Sequence, residues 1–123
     1  MAKGKEKVTP KRGDLYLINF DPTMGAEIRK TRPALVLQND IANRYSPVTI
    51  VAAITSHVDE PLYPTEILIT SKETGLTQDS AVLLNQVRTI DKKRLIKYLG
   101  AVNKETMGKV DRALEISLGI AKI

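Results

Sequence analysis

Residues 25–40 read GAEIRKTRPALVLQND, and the first half of that stretch sets Glu27, Arg29, Lys30, Thr31 and Arg32 close together. A guanidinium offers paired planar N–H donors that match a phosphate or a carboxylate, and a basic loop anchored by a buried strand is where such recognition is usually built. Pro33 opens the apolar run. Its fixed φ and missing N–H suit the first residue of a strand, and it pushes Arg32 toward an extended backbone. A solvated basic loop preceding a strand would read the same way.

A second group of reactive side chains follows the run VTIVAAIT at residues 48–55. Alternation puts Thr55 on the face of Thr49, Val51 and Ala53, at the end of the strand and just before Ser56 and His57. A Thr there is equally an ordinary strand former, and a single histidine in a polar loop is equally surface decoration. In the later run SAVLLNQVRT, the residues Asn85, Gln86 and Arg88 interrupt apolar sequence. Strict alternation groups Gln86 and Arg88 with Leu84, on a face that meets solvent or a polar ligand, or where the strand leaves the core.

Several chemistries drop out. With one histidine, no cysteine and no spaced carboxylate pair, neither a metal site nor a disulfide is expected. The glycines form no phosphate-binding or dinucleotide fingerprint. What remains is a site of arginine and hydroxyl groups without metal or cofactor. Such a site suits attack of an RNA 2′-hydroxyl on its neighbouring phosphate, because the substrate brings the nucleophile and the protein need only orient it and stabilise the developing charge.

The elements that would hold these groups are short. Residues 15–20 alternate Tyr16, Ile18 and Phe20 against Leu15, Leu17 and Asn19 and read as a strand buried on both faces. A turn at 21–25 follows, then strands over 33–38 and 48–55, with a helical turn near 41–44 between them. Strands are expected at 64–70 and 80–89, separated by a loop or a short turn at 71–79. Residues 95–100 form a last strand or a helical turn, the strand being preferred. Asn103 is a good N-cap, and Met107, Val110, Leu114 and Leu118 make one apolar stripe on a helix of about four turns. Closely spaced strands with one terminal helix predict a mainly β protein: a small SH3-like antiparallel β-barrel with a C-terminal α-helix and short helical turns.

At 123 residues the chain fits a single domain at 11–123 behind a basic tail at 1–10. The net charge of +5 does not by itself imply nucleic-acid binding. The first 12 residues hold five of the 19 basic side chains against one acid, leaving 14 basic and 13 acidic residues over the rest. Any RNA footprint must therefore come from local clustering, densest at Arg29, Lys30 and Arg32. The N-terminus has lysines but no apolar stretch of the secretory kind, and no run is long enough to span a membrane. A cytoplasmic location is expected.

Taken in order, Arg12-Gly13-Asp14, Asp21-Pro22, Gly25-x-Glu27, Thr31-Arg32-Pro33-Ala34, Gln38-Asn39-Asp40, the VAAIT strand, Leu84-x-Gln86-Val87-Arg88-Thr89-Ile90-Asp91 and Val110-Asp111-x-Ala113-Leu114 resemble the MazF/PemK toxin family. Each motif is weak alone, and the collinear set over residues 11–120 is specific. The resemblance implies a ribosome-independent, metal-independent, sequence-specific endoribonuclease of a toxin–antitoxin system. Such an enzyme cuts single-stranded RNA to 2′,3′-cyclic phosphate and 5′-hydroxyl ends. It also implies a homodimer, and an antitoxin whose acidic C-terminal segment occupies the RNA groove. The family's catalytic arginine and threonine match Arg32 and Thr55. Glu27, Arg29, Lys30, Thr31, Ser56, Gln86 and Arg88 are the corresponding RNA-binding candidates, and Glu27 and His57 are the acid/base candidates. The lysine-rich segment before Lys11 is no part of the family pattern, and Asn85 stands where some relatives carry an acid. Two rivals share the fold: a gyrase-poisoning toxin of CcdB type, and a non-enzymatic RNA-binding barrel.

Overall fold

The structure is a computed structural model and describes residues 9–20 and 31–123. Residues 1–8 of the expected tail, the turn expected at 21–25 and the candidates Glu27, Arg29 and Lys30 lie outside the described residues. The elements run β1 (Asp14–Asn19), β2 (Thr31–Val36), α1 (Asp40–Tyr45), β3 (Val48–Thr55), β4 (Glu66–Ile69), α2 (Ser71–Thr74), β5 (Ser80–Asp91), β6 (Leu95–Ala101) and α3 (Lys104–Ser117), with a 3-10 turn at Lys92–Arg94. The strands form one antiparallel sheet in the order β4-β5-β3-β2-β1-β6. This is the mainly β architecture with a C-terminal helix that the sequence predicts.

Both faces of the sheet are apolar. Leu15, Leu35, Ala52, Ile54, Val82 and Leu84 pack under α3 with its Met107, Val110 and Ala113. Tyr16, Ile18, Phe20, Ala34, Val36 and Val51 form a second cluster on the opposite face. Alternation along β1 and β3 feeds the two clusters in turn, which is why both strands read as buried on both sides. Burying a side chain such as Leu15 or Val110 stabilises by about 1.5–3 kcal/mol.

The helix α3 starts as expected. The Asn103 side chain accepts the Thr106 N–H at 2.8 Å. The Glu73 carboxylate adds two bonds there, accepting the Asn103 N–H at 2.8 Å and the Thr106 hydroxyl at 3.1 Å, so a negative charge sits at the helix N-terminus. The far end corrects the expected stripe. The helix stops at Ser117, Gly119 takes φ 78° and Leu118 is exposed. The buried stripe is Met107, Val110 and Ala113, with Leu114 packed beside it.

Two further corrections concern strands. β2 begins at Thr31, not Pro33, because Thr31, Arg32 and Pro33 pair with Asn19, Ile18 and Leu17 of β1. Pairing to β3 begins only at Ala34, so the residue without an N–H lies where β2 has no β3 partner. In β5 the ladder to β3 jumps from Leu83↔Ala53 to Val87↔Ala52, leaving Leu84, Asn85 and Gln86 as an irregularity. That insertion reverses the alternation. Leu84 faces the α3 cluster, whereas Arg88 pairs with Val51 and faces the opposite cluster. The two do not share a face.

The segment expected as a loop or a short turn at 71–79 contains α2. Its sequence Thr70-Ser71-Lys72-Glu73 has the capping-box pattern, of which the Thr70 half forms: Thr70 Oγ1 accepts the Glu73 N–H, the Glu73 carboxylate turns to α3 instead, and Gly75 closes the turn at φ 83°.

Candidate functional site

β2 and β3 carry the two principal candidates to one place. Arg32 sits beside Pro33 and Thr55 ends β3, and both line a cleft of about 720 Å³ together with Thr31, Ser56 and His57. Its opposite wall comes from the segment after α2, including Leu76 and Gln78. Arg32 is the one permanently charged side chain among the described residues that line it, surrounded by the hydroxyls of Thr31, Thr55, Ser56, Thr77 and Ser80.

The Arg32 side chain is exposed and makes no hydrogen bond or ion pair with any described residue. Its guanidinium is open to an anion. Thr55 is half-buried, and its Oγ1 accepts the backbone N–H of His57 at 3.0 Å. With the oxygen held as acceptor, the hydroxyl hydrogen is left to donate. His57 lies at the cleft edge with its Nε2 3.5 Å from Asp59 Oδ1, both side chains largely exposed.

The remaining candidates are placed differently. Gln86 and Arg88 are exposed on β5 and do not line the cleft. Arg88 lies over the Phe20 ring, its Cζ 5.0 Å from the ring centroid, on the same sheet face as Thr55. Opposite Val51, it stands four residues back along β3 from Thr55, about 13 Å at the usual strand rise. The sequence reading missed Leu76, Thr77 and Gln78. The capping box before them would have revealed α2, but no residue type marks the segment as a cleft wall.

The wall is held by contacts that sequence could not disclose. Glu73 ties α2 to α3, and Gly100 of β6 passes so near Thr74 that a Cβ on Gly100 would lie 2.1 Å from the Thr74 carbonyl oxygen. On the other side, several residues of the family-like motifs have structural work. Arg12 donates through Nε to the Leu37 carbonyl at 3.0 Å, pairs with Asp111 of α3, and has its backbone N–H on Asp40 at 2.7 Å. Gly13, at φ 96°, hands the chain into β1. Among the described residues, no group of three or more His, Cys, Asp or Glu side chains is placed to hold a metal ion. Nor, among the described residues, is any helix long and apolar enough to cross a membrane.

Comparison with known proteins identifies the family and the fold. A family model described as "PemK-like, MazF-like toxin of type II toxin-antitoxin system" matches residues 11–118. The chain is 48% identical over 110 residues to endoribonuclease EndoA of Bacillus subtilis, covering 89% of this chain and 95% of that protein. Among solved structures it is similar to a MazE–MazF complex from Deinococcus radiodurans, at TM-score 0.78 and 27% identity, covering 93% of this chain and 99% of that one. It is also similar to an endoribonuclease in complex with its cognate antitoxin from a mycobacterial species, at TM-score 0.77 and 25% identity, again covering 93% and 99%.

Proposed function

This chain belongs to the PemK-like, MazF-like toxin family of type II toxin–antitoxin systems, and from that premise we propose that it is a sequence-specific endoribonuclease acting on single-stranded RNA. The observation that carries the reading is the cleft itself: an unclaimed guanidinium on β2 and a hydroxyl oriented to donate on β3, facing one volume.

The 2′-oxygen of the nucleotide before the cut attacks the adjacent phosphorus while the P–O5′ bond breaks, giving a 2′,3′-cyclic phosphate and a 5′-hydroxyl. Arg32 grips the non-bridging oxygens through two N–H groups, and Thr55 donates its hydroxyl to one of them, so both interactions strengthen as charge builds on the phosphorane. A guanidinium holds its proton too tightly for acid/base work, which makes Arg32 a charge stabiliser. The 2′-hydroxyl proton goes to a base and the leaving 5′-oxygen takes a proton from an acid or from water; His57 at the cleft edge and Glu27 of the preceding loop are the candidates for the acid/base roles. Thr31 and Ser56 line the cleft and bind the backbone on either side of the scissile phosphate. Glu27, Arg29 and Lys30, with Gln86 and Arg88 farther along the sheet on β5, extend the RNA path. The chain works as a homodimer in the cytoplasm, without a metal, and a cognate antitoxin inhibits it by laying an acidic C-terminal segment along the same path. The antitoxin complexes among its structural relatives support that partner.

The test is incubation of the purified protein with long single-stranded RNA in excess EDTA. Defined fragments with cyclic-phosphate ends support the nuclease. Intact RNA together with gyrase inhibition would transfer the chain to the gyrase-poisoning reading, and intact RNA alone would leave only a binding module.

A further inference from the structure

A second cavity, of about 320 Å³, abuts the catalytic cleft and shares Thr55 and His57 with it. We propose that it receives one unstacked RNA base carrying an exocyclic amine, with Glu66 accepting from that amine and Tyr63 covering the base. The inference rests on the RNA-cleaving reading above and adds a specificity-determining side chain to it.

Register places the parts. On β5, Ala81 pairs with Thr55 and Leu83 pairs with Glu66, so both flanking residues stand on the face of β5 that Ala81 and Leu83 occupy. Glu66 is thus two strand spacings across and two residues along from Thr55, about 12 Å, with Ala81 and Leu83 as an apolar floor between them. A volume near ~300 Å³ is at the lower end for small-molecule sites, the scale of one base and not of a longer segment.

Charge decides which part of a nucleotide enters. The cleft presents Arg32, whereas the cavity is lined by Asp59, Glu60 and Glu66. A phosphate is drawn to the first and repelled by the second, so the neutral base goes into the cavity. Among the three carboxylates, Glu66 is the fixed one. It is half-buried, and its Oε1 accepts the Tyr63 N–H at 3.1 Å while its own N–H donates to the Tyr63 carbonyl at 2.9 Å. Its second carboxylate oxygen takes no hydrogen bond from any described residue. A carboxylate offers only acceptors, so it suits the exposed amine of cytosine, adenine or guanine and disfavours uracil, whose one donor, N3–H, lies between two carbonyl oxygens that a carboxylate repels. The Tyr63 ring is 70% exposed at the cavity wall, leaving a face for stacking.

The test is cleavage of a randomised single-stranded RNA pool by the full chain, with the 5′-hydroxyl ends sequenced. The wild type should disfavour uracil about tenfold at one position next to the cut. Glu66→Gln keeps the acceptor for Tyr63 N–H but offers an amide N–H₂ instead of the second oxygen, so the preference at that one position should vanish or turn toward uracil. Tyr63→Leu provides a second reading that leaves the carboxylate in place, weakening selection at the same position. Unchanged base frequencies at every position in both variants would overturn the proposal. If the wild type cuts no better than Arg32→Ala, the underlying nuclease reading falls instead, and this proposal with it.

Discussion

Arg32 and Thr55 line one cleft at the open end of the β2–β3 pair, each two residues beyond the last paired residues, Ala34 and Ala53. Both lie on the sheet side of Val36 and Val51. The β2–β3 ladder ends at Ala34, next to the proline that cannot donate to it, so the two strands are not paired with each other where a phosphate would enter, although each keeps its other neighbour. This relationship predicts a separation of activity from stability. Arg32→Ala removes an exposed side chain with no described partner, so the melting temperature should hold, within about 0.5 kcal/mol. RNA cleavage should fall about 10³-fold or more, and Arg32→Lys should recover little because it keeps the charge without the two-pronged donor. Single-turnover cleavage beside a thermal melt measures both; wild-type cutting by Arg32→Ala would remove Arg32 from the chemistry.

Thr55 makes a narrower prediction, because one atom is at issue. Thr55→Val preserves shape and strand preference but deletes the hydroxyl that accepts from His57 N–H and is free to donate. Cleavage should drop by about 10²–10³-fold, the usual loss for one transition-state donor. Thr55→Ser should restore most of it. Equal loss in both variants would mean that packing at the strand end matters and the hydroxyl does not.

Gly100 tests the opposite cleft wall. A methyl group there would meet the Thr74 carbonyl oxygen at 2.1 Å, and the glycine also has φ 156°. Gly100→Ala should destabilise by about 2 kcal/mol or more and push α2 away from β6. Because the cleft-lining residues Leu76–Gln78 follow α2 directly, KM for RNA should rise along with the loss of melting temperature.

Asp14 gives a pH dependence with a definite sign. Its burial raises its carboxyl pKa above the ordinary 3.8, and nearby Asp40 adds to the rise, while the bond from Lys11 N–H opposes it. The folded state therefore holds the proton more tightly than the unfolded chain. Stability from this group is full below the unfolded pKa and is lost as pH rises through the folded one. Asp14→Asn keeps an acceptor for Lys11 and has no charge to bury, so it should raise the melting temperature at neutral pH and lose that advantage in acid. Melts across a pH series measure it; a variant less stable than wild type at neutral pH would contradict the burial argument.

How much of this was legible depended on whether the signal was local. Apolar alternation located β1 and β3, and the Asn103 cap located α3, because each is a property of adjacent residues. Arg32 stood out as a candidate because it sits in a basic cluster beside Pro33, although the strand it was expected to precede already begins at Thr31. The face of Arg88 was not legible, since the irregularity at Leu84–Gln86 depends on how β5 meets two partners. Nor was the role of Glu73, whose partners lie some 30 residues ahead in α3. The end of α3 was misread because the stripe runs on to Leu118 in the sequence, while Gly119 stops the helix in space.

Asn43 closes the contrast between folding and chemistry. It is fully buried, its Oδ1 accepting from Gln38 Nε2 at 2.9 Å and the Thr49 hydroxyl at 2.7 Å, and its Nδ2 donating to the Gln38 carbonyl at 2.8 Å. Asn43→Ala leaves these groups without their partner in a dry interior, a penalty of about 3–5 kcal/mol for the network. Against a total stability of about 5–15 kcal/mol, that lowers the melting temperature by roughly 10–20 °C. Thr49 is six residues from Thr55 along β3, about 20 Å, so the damaged region lies at the far end of the strand that carries the hydroxyl. Below its lowered transition, Asn43→Ala should cut RNA at the wild-type rate per folded molecule, the reverse of the pattern for Arg32→Ala. A cold cleavage assay normalised to folded protein distinguishes them, and lost activity in a folded Asn43→Ala protein would mean that the network reaches the cleft through β3.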